Sequence, residues 1–372
     1  MKYEEKKLSE LVDTISDTRK IDKDKVVLVN TSDVLAGEVL NHTYTENCNL
    51  RGQFKKRFKT DDILYSEIRP ANKRFAYIDF DSEDYIASTK LMVLRRKSDK
   101  ITNKYLYYCL TNDLFVDRMQ HFAEARSGTF PQITFDVLKG ETIYLPSIAN
   151  QNKITSILDN INNKIRLNNE INNNLYEISK QLLLKYLDEN KSSDEINISK
   201  FLNIFTGKKN ANETSPTGKY KFFSCAPESL LSDTYLCDSA AIIVAGNGAY
   251  TGRTRFYDGK FELYQRTYGL TLKDGFEKNN IYGLYVFMKT IFEPDKMGGT
   301  HGSAIPYIVL SDLTDYKIKY NKVEFDRFSN LVSGNIKMIQ ENEKSNEKLS
   351  ELRDTLLPKL MNGEIDLDNI EV

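Results

Sequence analysis

The chain has 372 residues, 40% of them hydrophobic and 28% charged, with 52 Lys+Arg against 53 Asp+Glu. That length suits two to three domains with real apolar cores, and the balanced charge excludes a uniformly basic nucleic-acid coat while leaving room for local basic surfaces. No run approaches the roughly 20 apolar residues of a membrane span, the charged start lacks the apolar stretch of a secretory signal, and Cys48, Cys109, Cys225 and Cys237 form no CxxC pair, so a cytoplasmic protein without a zinc or disulfide framework is expected.

In chain order, residues 62–66 (DILYS), 74–80 (RFAYIDF) and 90–95 (KLMVLR) read as strands, alternating or apolar and bounded by turn residues. NKYLYYCL, from Asn103, with the residues after it, reads as a Tyr-rich helix. A long helical pattern begins near Asn150, and DENKSSD, from Asp188, reads as a linker. Residues 240–245 and 260–263 read as strands, with a turn at Asp258-Gly259. Residues 279–290 form a second Tyr-rich helix, and a second long helical pattern leads to an acidic tail.

The chain repeats itself. With Pro131 set on Pro306, Ile133 meets Ile308, Phe135 meets Leu310, Leu138 meets Leu313 and Ile143 meets Ile318. Beyond them, Leu175 and Leu349, Ile178 and Leu352, and Leu182 and Leu356 all lie 174 residues apart. Such self-similarity divides the chain into two tandem halves. The fold class expected is α+β: two mixed α/β domains, each followed by a long helix. The divisions are residues 1–149, a helix over 150–189, a second domain over 190–323, a helix over 324–362, and a tail over 363–372.

The helices carry seven-residue seams that suit a coiled coil. In the first, Ile154, Ile161, Asn168, Leu175 and Leu182 form one set, with Ile157, Ile171 and Ile178 in the second position. In the other, Phe328, Asn342, Leu349 and Leu356 are joined by Leu331, Met338 and Leu352. If the repeats are related by a two-fold axis across the coil, the helices must run antiparallel. Asn168 and Asn342 then fall mid-coil within about one turn, 5.4 Å, of each other, where a polar core position fixes register.

Nothing reads as a catalytic centre or metal site. Gly246, Gly248 and Gly252 follow a strand, but their spacing is one residue longer than a dinucleotide fingerprint. His301 and Ser303 in GGTHGSA read as a turn, since a triad is set by geometry in space. The remaining candidates are basic and aromatic loops. Lys55, Lys56, Arg57, Arg69, Lys73 and Arg74 gather in the first half, and Lys208, Lys209, Tyr250, Arg253, Arg255 and Arg266 in the second. They offer phosphate contacts and base-edge donors, although a charge run is often only a solvated face.

This arrangement resembles the specificity subunit of Type I restriction–modification enzymes. The likeness rests on the tandem plan, the opening NQNKITSILDNINNKIRLNNEINNNLYEISKQLL at Asn150, and the ending LSELRDTLLPKLMNGEIDL at Leu349. GTFPQI and GSAIPYI resemble the strand that family places before each helix. The resemblance implies two target-recognition domains, each reading half of a split double-stranded DNA target. It implies antiparallel spacer helices docking two modification (methyltransferase) subunits, which carry S-adenosylmethionine, and restriction (motor-nuclease) subunits that cut. The chain itself would hold no cofactor and catalyse nothing. A single-chain methyltransferase–nuclease and a scaffold binding only proteins are the two rival classes.

Overall fold

A computed structural model describes residues 3–126, 129–291, 306–365 and 367. Two compact units result: Met1–Ile165 with Glu347–Val372, and Arg166–Asn346. The GGTHGSA segment with His301 and Ser303 lies outside the described residues.

The first unit holds two four-stranded sheets. One is antiparallel and runs in the order Val12–Ile15, Leu91–Arg96, Ile63–Ser66, Phe75–Tyr77. The other runs Tyr44–Glu46, Lys25–Val29, Tyr85–Ser88, Phe54–Lys56. Helices Asn103–Thr111 and Asp113–Arg126 contribute Tyr105, Leu106, Phe115 and Met119 to the core that holds Leu8, Ile63, Tyr65 and Leu94. The Thr102 hydroxyl starts the first of them by accepting the Tyr105 N–H, which satisfies a donor the helix itself leaves open.

The second unit has one six-stranded sheet: Leu202–Thr206, Thr267–Leu272, Cys237–Ala245, Thr254–Leu263, Tyr220–Phe223, Leu230–Ser232. Its first four strands repeat the antiparallel sheet of the first unit in order and register. Leu91 opposite Ser66 matches Thr267 opposite Ala245, and Tyr65 opposite Phe75 matches Val244 opposite Thr254.

Two readings of the sequence change. Asp258-Gly259 is not a turn: Asp258 faces Ala240 and Gly259 faces Ser239 inside a strand of 10 residues. The nine residues of Cys237–Ala245 offer a partner along that length, and Gly259, at φ 138°, takes up the irregularity without a Cβ. Among the described residues, 129–134 and 306–309 form no strand either. Each passes into a short helix, Phe135–Gly140 or Leu310–Thr314, and the strand comes later, as Thr142–Leu145 or Lys317–Lys319. Each pairs antiparallel with the opening strand of its own half, Glu4–Lys7 or Glu195–Asn197. Proline, with no N–H to donate, suits an earlier segment that pairs only through single antiparallel bridges, Ile68 with Gln132 and Asn247 with Tyr307.

The long helices are Ile148–Glu189 and Lys322–Met361. Within the first unit, Ile154 and Leu158 share a core with Leu357 and Leu360, and the Arg353 Nη1 donates to the Asn162 Oδ1 at 3.2 Å. Within the second, the Asn335 Nδ2 donates to Ser179 Oγ at 3.1 Å, the Asn342 Nδ2 to Asn172 Oδ1 at 2.8 Å, and the Asn168 Nδ2 to Asn346 Oδ1 at 2.7 Å. Partner numbers fall as the others rise, so the pairing is antiparallel in each unit. Asn168 and Asn342 each bond to an asparagine four residues from the other, one turn away.

The second seam position needs correcting. Ile171, Ile178, Leu331, Met338 and Leu352 are 41%, 53%, 56%, 49% and 47% exposed. The seam runs instead through Leu158, Ile165, Asn172, Ser179 and Tyr186, against Val332, Ile339, Asn346, Arg353 and Leu360. Steps of three and of four residues share one seven-residue period. The polar Asn172, Ser179, Asn346 and Arg353 conceal the step of four that the helices use.

Candidate nucleic-acid interface

In the second unit the hairpin between Cys237–Ala245 and Thr254–Leu263 turns through residues 246–253. Its backbone is anchored on both sides. Gly246 N–H donates to the Arg266 carbonyl at 2.9 Å, Gly248 N–H to the Pro306 carbonyl at 3.0 Å, and Ile308 N–H to the Gly246 carbonyl at 2.9 Å. Gly248 and Gly252 both sit at φ 84°, left-handed backbone that glycine adopts without strain. The turn presents Tyr250, 44% exposed, with the Arg253 guanidinium 5.4 Å from its ring centre. Arg266 and Lys208 are exposed beside their own loops.

Arg255 behaves differently. Its Nη1 donates to the Pro227 carbonyl at 3.1 Å, its Nη2 to the Ser224 carbonyl, and its guanidinium lies 4.9 Å from the Phe223 ring centre. Burial, reinforced by Arg253, pushes its pKa down to about 10. Lys209 is likewise occupied, donating to Ser232 Oγ at 3.0 Å and Thr234 Oγ1 at 2.7 Å beside Glu262. Both side chains knit loops to the sheet.

The first unit builds the same turn. Arg69 N–H donates to the Pro131 carbonyl at 3.1 Å, and Ile133 N–H to the Glu67 carbonyl at 2.9 Å. Ser66 N–H reaches the Arg74 carbonyl at 2.9 Å, as Ala245 N–H reaches that of Arg253 at 2.9 Å. The left-handed positions recur as well, at Arg69 (φ 45°) and Lys73 (φ 52°). Arg69 is exposed, and Lys73 meets Asp113 Oδ1 at 2.6 Å on the surface. Arg74 instead donates to the Ser32 and Val34 carbonyls at 2.9 and 3.2 Å.

Lys56 is also committed: its Nζ donates to the Thr89 and Leu91 carbonyls at 2.9 and 2.8 Å, and burial lowers its pKa. Lys55 and Arg57 line a cleft of about 1040 Å³ together with Arg19, Lys20 and Lys25. The sequence candidates therefore divide. Lys55, Arg57, Arg69, Lys73, Lys208, Tyr250, Arg253 and Arg266 stand at loops or the cleft, whereas Lys56, Arg74, Lys209 and Arg255 hold backbone carbonyls or side-chain oxygens. Sequence reasoning missed Phe130 and Tyr307, 48% and 38% exposed beside the repeated prolines; that proximity to Pro131 and Pro306 was the available signal. Cations beside exposed rings are suited to phosphates and to unstacked or groove-facing bases. Among the described residues, no group of three or more His, Cys, Asp or Glu gathers as a metal would need.

Residues 1–177 match the family described as Type I restriction modification DNA specificity domain. Through that segment the chain is similar to this family's domain. The HindI specificity subunit of Haemophilus influenzae is 40% identical over 157 residues, covering 42% of this chain and 34% of that protein. The EcoDI specificity subunit of Escherichia coli is 32% identical over 126 residues, 33% of this chain and 26% of that protein. The matched segments thus span about a third or less of those specificity subunits' own length. The whole chain shares the fold of the Type I restriction–modification S subunit from M. genitalium, with a TM-score of 0.57 at 17% identity, over 97% of this chain and 96% of that one. No helix among the described residues is long and apolar enough to cross a membrane.

Proposed function

We propose that the chain is the DNA-reading specificity subunit of a Type I restriction–modification enzyme, each half-molecule reading one half of a bipartite double-stranded target. The observation that carries this reading is the turn built twice on the same four-stranded sheet, docked on a proline carbonyl each time and bearing cations each time. Turns of this kind place side chains against a duplex while a rigid sheet holds them. The chain itself catalyses nothing. Methylation, with S-adenosylmethionine, belongs to two methyltransferase subunits, and cleavage to motor-nuclease subunits, working on cytoplasmic DNA. Exposed Ile178 and Leu352, 174 residues apart and 53% and 47% exposed, offer equivalent docking points for the two methyltransferase copies.

A mobility-shift assay with and without the cognate methyltransferase subunit tests the reading. A sequence-specific shift that needs both chains supports it. Assembly without any DNA retention would favour a protein-only scaffold, and methyl-donor binding by the isolated chain would favour a single-chain enzyme.

A further inference from the structure

We infer that Arg69 is a DNA-contacting residue of the first half, retained in a strained backbone position for the sake of its side chain; this rests on the DNA-reading function proposed above. The two turns are the same structure, so their residues can be compared one by one. Gly248 donates its N–H to the Pro306 carbonyl at φ 84°, and Arg69 donates its N–H to the Pro131 carbonyl at φ 45°. Four residues later, Gly252 (φ 84°) corresponds to Lys73 (φ 52°).

A Cβ built on Gly248 would meet nothing within 4 Å. Glycine at this corner therefore answers only the demand for left-handed backbone, not a shortage of space. The first half meets that same demand with arginine and lysine, side chains that left-handed backbone disfavours. Strained residues persist where the surrounding structure over-determines them, and they cluster at binding sites. Here the anchoring on Pro131 and the Asn72 N–H bond to the Arg69 carbonyl, 2.9 Å, supply that constraint.

The side chain does no work inside the fold that would explain its retention. Arg69 is exposed, and its guanidinium has no hydrogen-bond or ion-pair partner among the described residues. Lys73 at least meets Asp113, and Arg74 is committed to two carbonyls. Of the three cations on this turn, Arg69 alone projects from its anchored corner without an internal role. In the second half the glycine corner carries no side chain, and the cation is Arg253 beside Tyr250. The two readers thus present their cations from different corners of one scaffold.

The test uses the full chain assembled with its methyltransferase partner and duplexes bearing the methylated target. Arg69→Gly should melt at or above the wild-type temperature, because it relaxes the corner. It should bind the target about tenfold more weakly and reduce the salt dependence of binding by about one counterion. Arg69→Lys should restore the salt dependence. Wild-type affinity and salt dependence in Arg69→Gly would overturn the inference while leaving the functional reading intact. A fall in melting temperature would overturn it too, by making Arg69 a structural residue. Failure of the wild-type assembly to bind any duplex would instead remove the functional reading itself.

Discussion

At the scale of single residues, cations close in sequence do different work. Arg253 lies over an exposed tyrosine ring at the turn, whereas Arg255, two residues on, holds the Ser224 and Pro227 carbonyls. Arg253→Ala should weaken DNA binding by the assembled enzyme with the melting temperature unchanged. Arg255→Ala strands two carbonyls and should lower stability by about 1–3 kcal/mol, read as a shift in the urea midpoint. Equal stability of the two variants would contradict the division. Charge and loop placement made both arginines visible in the sequence. What separates them is the path of the 224–227 loop, a long-range contact that no local pattern encodes. Lys56 and Lys209 were illegible for the same reason, since their acceptors lie more than 20 residues away in the chain.

At the scale of elements, the long helices were legible in length, period and pairing direction, because the seven-residue repeat and the 174-residue offset can both be counted along the sequence. The second seam position was not, since polar residues occupy it mid-coil. Those polar residues are specific. Asn168 with Asn346 and Asn342 with Asn172 are the same bond made twice by the internal symmetry. Asn168 is 1% exposed, so Asn346→Leu leaves a buried amide without its acceptor and should cost about 1–2 kcal/mol in a denaturant titration. The double variant Asn168→Leu, Asn346→Leu should recover most of that loss, because a fully apolar layer strands nothing. Additive losses would show that the asparagines do not act as a pair. On the outer face, Leu352→Asp should leave the melting curve in place but weaken assembly with the methyltransferase, measured by size exclusion. Unchanged assembly would remove that face from the docking surface.

At the scale of the molecule, the tandem plan follows from matched prolines and matched helices, and the structure deepens it: the four-stranded sheet and its docked turn recur strand for strand. The six-stranded sheet of the second unit and the separate second sheet of the first were not legible as different constructions, because their strands are short and differ in pairing, not in composition. Each compact unit owns a core, with Ile63 and Tyr105 joined by Leu357 of the C-terminal helix in one and Ile242, Tyr285 and Phe325 in the other. Domains with their own cores behave as separable parts. The most direct measurement is therefore methylome sequencing of cells that express the proposed methyltransferase partner with a chain whose residues 1–149 are replaced by the matching segment of a Type I specificity subunit. The account predicts a new sequence in one half of the methylated motif and the original sequence in the other. A change in both halves, or in neither, would contradict it.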